Sequence, residues 1–89
     1  MKKYTVELSP AAKRKLRKLD TPVRKRITKW IEENLVDCED PRFHGKNLKE
    51  YPNANWRYRV GDYRIVADIQ DDKIIIMIVN VDKRNDVYK

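Results

Sequence analysis

The sequence predicts an α+β domain in which a small antiparallel sheet carries a helical hairpin on one face, in the order βααβββ. Two observations lead to this fold class. Two early segments repeat apolar residues at spacings of three and four, and each begins with a Ser-Pro or Thr-Pro pair. Period-two alternation of apolar residues appears in the C-terminal third. A chain of 89 residues is expected to form one domain, spanning residues 1–89.

The N-terminal strand is predicted by alternation over residues 3–8. Tyr4, Val6 and Leu8 are apolar, and the residues between them are polar. Such a pattern is typical of a strand that buries one face and exposes the other. A strand is therefore expected to precede the helices.

A helical hairpin is predicted next. Ser9-Pro10 supplies a capping residue followed by proline at the first helical position. Thr21-Pro22 repeats this signal after a short break, so a second helix is expected from there to about Leu35. The predicted buried stripes comprise Ala12, Leu16 and Leu19 in the first helix and Val23, Ile27, Trp30, Ile31 and Leu35 in the second.

The C-terminal part is predicted to form a three-stranded meander. A linker over residues 36–55, rich in charged and turn-forming residues, precedes strands at residues 56–60, 63–69 and 74–81. Gly61-Asp62 fits a two-residue hairpin turn of type II′, because that turn places glycine at its first central position. Asp71-Asp72 is a weaker signal for the second turn.

The charge of the chain points to a polyanionic partner. Lys and Arg total 21 against 14 Asp and Glu, a net charge of +7. Nucleic acid or the ribosome is the partner that this excess favours, although a basic protein with an acidic protein partner fits as well. Basic residues between the helical stripes form either a phosphate-binding patch or an ordinary solvated face. The candidates for ribosomal RNA contacts are Arg14, Arg17 and Lys18.

Several classes of site and location are not expected. Cys38 is the only cysteine, which excludes an intramolecular disulfide, and with one histidine, His44, it is too few for a structural zinc site. The longest apolar run, residues 74–79, is far shorter than the roughly 20 residues that span a bilayer. No signal peptide follows Met1. We expect a cytoplasmic protein without metal, small-molecule cofactor or membrane contact.

The predicted hairpin brings arginines together. A two-residue turn at Gly61-Asp62 places Arg59 opposite Arg64, with Arg57 one step away on the same face. Like charges directly across a hairpin destabilise it, so a phosphate-binding role would explain the pair. Alternatively, Asp68 and other acidic neighbours neutralise the cluster.

The end of the last strand is expected to return beside this turn. Lys83 and Arg84 would then emerge near the hairpin arginines, with Tyr88 within reach. Guanidinium groups bind phosphate through paired donors and stabilise the extra negative charge of a phosphoryl transition state. Because an arginine already carries its full complement of protons at neutral pH, it cannot act as a conventional base, and Tyr88 is the candidate base.

The stretch from Trp56 to Tyr88 resembles the RelE/ParE toxin superfamily, and in particular RelE-type toxins. The resemblance is carried by Tyr-Arg-Ile-Val at residues 63–66, the aliphatic strand, the Val-Asp-Lys-Arg…Val-Tyr ending, the basic helical hairpin and Lys-Asn-Leu-Lys-Glu-Tyr-Pro at residues 46–52. It covers nearly the whole chain. It implies a toxin that cleaves messenger RNA in the ribosomal A site without a metal ion. It also implies a RelB-like antitoxin that neutralises this toxin.

The resemblance also implies roles for single residues. Arg64 matches the arginine that contacts the scissile phosphate, Arg84 the arginine that protonates the leaving oxygen, and Tyr88 the C-terminal tyrosine that serves as base and stacks on a nucleobase. Arg57 and Arg59 fall where RelE-type toxins carry lysines, and Lys83 completes the expected phosphate-binding set. Two alternatives remain: a ParE-like inhibitor of DNA gyrase, and a basic module that binds ribosomes or nucleic acid without chemistry.

Overall fold

The computed structural model describes residues 2–49 and 51–83. A single five-stranded sheet has the strand order β1-β5-β4-β3-β2. Two helices between β1 and β2 complete the α+β fold that the sequence predicts. The elements are β1 Thr5–Leu8, α1 Pro10–Lys18, α2 Thr21–Asn34, β2 Lys46–Asn47, β3 Trp56–Val60, β4 Tyr63–Gln70 and β5 Ile75–Lys83.

The sheet is mixed, which corrects the expectation of an antiparallel sheet. β1 pairs in parallel with β5, with Thr5 next to Ile75 and Leu8 next to Ile78, whereas the other pairings are antiparallel. A short hairpin forces antiparallel pairing, but β1 and β5 are joined through the helices and the rest of the sheet, so either direction is open to them. The predicted linker also contributes a strand, β2, which pairs Lys46 with Arg57.

Both helices begin at the predicted Ser-Pro and Thr-Pro pairs. In the described part of the chain, only α1 has an N-cap residue whose side chain forms a capping hydrogen bond. The Ser9 hydroxyl accepts a hydrogen bond from the Ala12 backbone N–H at 3.1 Å, as an N-cap residue does. α2 begins at Thr21, one residue earlier than expected, so Asp20 rather than Thr21 is the cap residue. Asp20 forms no side-chain capping bond within the described part of the chain.

The hydrophobic core lies between the helices and one face of the sheet. The predicted stripes are confirmed: all their members are buried or pack against the buried cluster. Tyr58, Ile65, Ile76 and Ile78 supply much of the sheet side of this core, and each is at most 1% exposed. The helices therefore cover one face of the sheet, which we call the helix face, and the opposite face is available for a site.

The β3–β4 hairpin has the predicted register. Arg59 pairs with Arg64 and Val60 with Tyr63, which leaves Gly61 and Asp62 as a two-residue loop. Gly61 has a φ of +60°, as a type II′ turn requires at this position. The second turn is longer than Asp71-Asp72, because β4 ends at Gln70 and β5 begins only at Ile75.

A β-bulge interrupts the pairing of β4 with β5. Val66 pairs with Asn80 and Ala67 with Ile78, so Val79 has no opposite residue. The Ser9 hydroxyl donates a hydrogen bond to the Val79 carbonyl at 2.7 Å. Because one residue is inserted, the alternation of side chains reverses along β5: Ile76, Ile78 and Val81 all lie in the core.

Candidate phosphate-binding site

Three arginines lie on the sheet face opposite the helices, which we call the arginine face. Arg57 and Arg59 are on β3, and Arg64 is on β4 directly across from Arg59. Arg59 is exposed, and the other two are half-buried. The register therefore confirms the juxtaposition that the sequence predicts, with three guanidinium groups on one side of the sheet.

Asp82 adds a carboxylate to this face. It pairs with Arg64 across β4 and β5, and the Arg64 Nη2 lies 3.6 Å from the Asp82 Oδ2. The Lys15 Nζ donates a hydrogen bond to the Asp82 Oδ1 at 3.1 Å. The Asp82 side chain is only 26% exposed, so it lies between a cation of the sheet and a cation of α1.

Asn80 and Tyr51 extend this polar group along the same face. The Asn80 Nδ2 donates to the Tyr51 hydroxyl oxygen at 3.0 Å and also lies 3.3 and 3.4 Å from the two Asp82 carboxylate oxygens. Tyr51 belongs to the segment before β3 and is half-buried. The described part of the arginine face thus contains a phenol as well as arginines.

The structure separates Lys83 from the predicted group. Lys83 pairs with Tyr63, which packs against the core, so strand alternation directs Lys83 to the helix face. It still lies at the end of the sheet where the Gly61-Asp62 turn is found. Arg84 and Tyr88 lie outside the described residues.

The bulge explains why sequence analysis missed Asp82 and Asn80. Uninterrupted alternation from Ile76 and Ile78 would direct Asp82 to the helix face and Lys83 to the arginine face. The expected acidic neighbour, Asp68, instead accepts a hydrogen bond from Gln70 at 3.0 Å. Asp82 is the single acidic residue of β5 and was visible in the sequence, but only the bulge assigns it to this face.

The candidate ribosomal RNA contacts are accessible. Arg14, Arg17 and Lys18 are all exposed on α1. Lys15, on the same helix, reaches Asp82. The basic surface of α1 is therefore connected to the arginine face through one carboxylate.

A shallow groove lies between α2 and the hairpin turn. Its volume is about 450 Å³, and it is lined by Arg26, Lys29, Trp30, Glu33, Arg59, Val60 and Gly61. The Arg26 guanidinium lies against the turn, since a Cβ atom added to Gly61 would be 2.9 Å from its central carbon. Glycine at this position therefore serves both the backbone conformation and the approach of Arg26.

A second polar cluster stabilises the opposite end of the sheet. Arg42 donates two hydrogen bonds to the Asp71 carboxylate, at 3.1 and 2.9 Å, and the Tyr4 hydroxyl donates a third at 2.7 Å. The bonds from Arg42 and then Tyr4 lower the pKa of Asp71, and the bond to Asp71 raises the pKa of Tyr4. This cluster joins the linker to the β4–β5 turn and is remote from the three arginines of the arginine face.

The described residues form neither a metal-binding cluster nor a membrane-spanning helix. Residues 2–49 and 51–83 contain no group of three or more His, Cys, Asp and Glu side chains placed to hold a metal ion. Over the same residues, no helix is long and apolar enough to cross a membrane.

Comparison with known proteins defines the class. A family described as "ParE toxin of type II toxin-antitoxin system, parDE" matches residues 6–88. The mRNA interferase toxin RelE of Escherichia coli (strain K12) is 30% identical over 88 residues, which cover 96% of this chain and 90% of the relative.

Solved structures agree with this match. A chain of the RelBE2 toxin–antitoxin complex from Mycobacterium tuberculosis is 29% identical, with a TM-score of 0.81 and 97% of each chain covered. A chain of the intact E. coli RelBE toxin–antitoxin complex is 26% identical, with a TM-score of 0.72 and 92% of this chain and 98% of that chain covered. The fold is that of the RelE/ParE toxin superfamily, as the resemblance implied. The chain belongs to the ParE toxin family of type II toxin–antitoxin systems.

Proposed function

We propose that this toxin is a ribosome-dependent endoribonuclease that cleaves messenger RNA in the A site and so stops translation. The observation that carries the proposal is the direct opposition of Arg59 and Arg64 on an accessible sheet face. Two guanidinium groups across a hairpin repel each other, and a bound phosphodiester would relieve that repulsion. The relative named mRNA interferase toxin RelE supports the same chemistry.

The proposed reaction needs no redox chemistry and no added nucleophile. The RNA 2′-oxygen attacks the adjacent phosphorus while the bond from phosphorus to the 5′-oxygen breaks. The products are a 2′,3′-cyclic phosphate and a 5′-hydroxyl end. Arg64 contacts the scissile phosphate and stabilises the charge that develops on it, while Arg57 and Arg59 bind the flanking backbone.

Proton transfer is assigned to the C-terminal residues by resemblance. Tyr88 takes the proton of the 2′-hydroxyl and Arg84 gives one to the leaving 5′-oxygen. Arginine at positions 57 and 59 preserves charge and phosphate affinity but offers no titrating amine in place of a lysine. Proton abstraction therefore depends on Tyr88 or on groups of the substrate and the ribosome.

Dependence on the ribosome follows from the weakness of this acid–base machinery. A messenger RNA held in a reactive geometry lowers the barrier by orientation, and intramolecular reactions show that this contribution is large. The exposed Arg14, Arg17 and Lys18 are suited to contact ribosomal RNA through its phosphates. We assign the protein to the cytoplasm, where its substrate is found.

A RelB-like antitoxin is the proposed protein partner. The matched chains of the M. tuberculosis and E. coli structures come from toxin–antitoxin complexes. A chain with a net charge of +7 favours an acidic or amphipathic helix laid along its basic surface. Charge would speed the association, and apolar contacts would set its affinity.

In vitro translation with primer extension on the messenger RNA tests the cleavage proposal. Wild type should give discrete cuts that require ribosomes, and Arg64→Ala and Tyr88→Phe should greatly reduce their rate. Lys73→Ala is the charge-matched control, because Lys73 is exposed on the β4–β5 turn at the other end of the sheet. Arrest of translation without any cut would show a ribosome binder rather than a nuclease.

Inhibition of DNA gyrase is the second candidate function, because the matching family is described as the ParE toxin. A supercoiling assay with purified gyrase separates the two. Inhibition of supercoiling, together with untouched translation, would replace the nuclease proposal. The arginine face would then have no phosphodiester to bind, and Arg64→Ala should leave inhibition of gyrase unchanged.

A further inference from the structure

We infer that Asp82 is a positioning residue of the arginine face, which holds the Arg64 guanidinium ready for the scissile phosphate. The inference rests on the proposed function, since it names the group that orients the phosphate-binding arginine. Three observations carry it: the register that places Asp82 opposite Arg64, the separation of their charged groups, and the donors that surround the carboxylate.

The distance between the two charged groups allows Asp82 to orient the Arg64 guanidinium without occupying its hydrogen-bond donors. At 3.6 Å, the Arg64 Nη2 is attracted to the Asp82 Oδ2 but is beyond the usual length of a hydrogen bond. A guanidinium has five N–H donors, and this contact satisfies none of them fully. Asp82 therefore restricts the rotamers of Arg64 while its donors stay available for phosphate oxygens.

Arg64 needs this restriction because a second arginine, Arg59, lies beside it on the neighbouring strand β3. Arg59 faces it across the β3–β4 hairpin, and repulsion between the two cations favours rotamers that separate them. A free arginine side chain also loses considerable rotamer entropy when it is ordered on a ligand. Because Asp82 already orders the Arg64 side chain in the free protein, less rotamer entropy is lost when the phosphate binds.

The carboxylate is itself held and partly neutralised. Lys15 donates to the Asp82 Oδ1 at 3.1 Å, and the Asn80 Nδ2 lies within 3.4 Å of both oxygens. A bare carboxylate beside the site would repel an incoming phosphate. Lys15 offsets that charge from the α1 side, so Asp82 can orient Arg64 at little electrostatic cost to the substrate.

Asp82→Asn is the test variant, because it removes the charge and preserves the shape and the acceptor oxygen for Lys15. Single-turnover cleavage on programmed ribosomes should slow by about 10-fold, with less than about a 2-fold change in the half-saturating ribosome concentration. In an Arg64→Ala background, Asp82→Asn should have no further effect beyond about 2-fold, because its action passes through Arg64. An equal slowing in both backgrounds would contradict the inference.

Two further variants separate positioning from general charge effects. Asp72→Asn removes one negative charge from the exposed β4–β5 turn, at the other end of the sheet, and should leave the cleavage rate unchanged. Asp82→Glu keeps the carboxylate on a longer chain and should recover part of the rate that Asp82→Asn loses. If Asp72→Asn slows cleavage as much as Asp82→Asn does, net charge rather than position is responsible.

A measurement without RNA keeps this inference distinct from the nuclease proposal. The order parameter of the Arg64 Nε–H bond, measured by ¹⁵N NMR relaxation and assigned with Arg64→Ala, should fall clearly in Asp82→Asn. An unchanged order parameter would overturn the positioning role even if the wild type cleaves RNA. A fall in the order parameter without cleavage by the wild type would instead contradict the proposed function alone.

Discussion

Arg64 and Asp82 face each other across β4 and β5, with the guanidinium and carboxylate 3.6 Å apart, because a bulge at Val79 turns Asp82 away from the core. Without that inserted residue, Asp82 would point towards the helices and Lys83 would lie beside Arg64. The charge balance of the candidate site therefore depends on the backbone geometry of β5, and that geometry is supported by Ser9.

Ser9→Ala is expected to lower the free energy of unfolding by about 1–2 kcal/mol. The hydroxyl caps α1 through the Ala12 N–H and also donates to the Val79 carbonyl, so its loss leaves two groups without their partner. Urea denaturation measures the change. Thr21→Ala is the control, and it should cost less than about 0.5 kcal/mol because Thr21 is exposed and does not cap α2. Equal losses in the two variants would contradict the assigned cap positions.

Gly61→Ala is expected to destabilise the protein by roughly 1–2 kcal/mol. The backbone φ of +60° is costly for any residue with a Cβ, and the new Cβ would lie 2.9 Å from the Arg26 guanidinium carbon. Arg26→Ala relieves only the second problem. In thermal unfolding, Gly61→Ala should therefore remain destabilising in the Arg26→Ala background, by a smaller amount. If the penalty disappears there, contact with Arg26 rather than backbone strain is its whole cause.

Asp71→Asn is expected to remove a pH-dependent part of the stability. The folded-state pKa of Asp71 is lowered, so its contribution is present above the ordinary value of 3.8 and is lost as the pH falls through the folded value. The pKa of Tyr4 is raised, so the contribution of its hydrogen bond is present below 10.0 and is lost as the pH rises through the folded value.

The stability difference between wild type and Asp71→Asn should therefore be greatest near neutral pH and shrink towards both extremes. Urea denaturation from about pH 3 to about pH 11 measures it. Asp72→Asn is the matched control, because Asp72 is the exposed neighbour of Asp71 in the same turn. A difference that stays constant with pH would show that the hydrogen bonds of Asp71 do not depend on its charge.

We expect that replacing Arg14, Arg17 and Lys18 together by Gln will weaken ribosome binding. The single-turnover rate at which messenger RNA is cleaved on ribosomes that have bound the toxin should be nearly unchanged. Each lost phosphate contact should reduce the slope of log affinity against log salt by about 0.7–0.9, so the total change should be roughly 2–3. A triple replacement of Lys3, Lys49 and Lys73, which are also exposed, removes the same charge elsewhere. Equal loss of affinity in both variants would point to net charge rather than to α1.

Local chemistry allowed much of this fold to be predicted. The Ser-Pro signal before α1 and the Gly-Asp hairpin turn act through neighbouring residues, so their consequences are readable without tertiary contacts. The turn sets the register of β3 and β4, and the register brings Arg59 and Arg64 together. The helical stripes were also predictable, because their 3.6-residue period reflects the core that they bury.

Long-range contacts decided the remainder. The direction of β1 depends on backbone hydrogen bonds between Thr5 and Ile74 and between Ser9 and Ile78, about 70 positions apart in the chain. The same contacts place the Ser9 hydroxyl on the carbonyl at the bulge. No alternation in residues 75–79 of β5 marks the inserted residue, because those five residues are all apolar and polar residues begin only at Asn80.

Residue order alone therefore determined the two helices, the strands other than β2, the hairpin register and the cluster of arginines, since each follows from interactions within a few residues. Tertiary packing determined the mixed sheet, the pairing of β2 with β3, and the exchange of Lys83 for Asp82 on the arginine face. The physical reason is that a strand alternates its side chains with a period of two, so one inserted residue reverses every position after it. Whether that insertion is stable depends on partners that the chain brings together only when it folds.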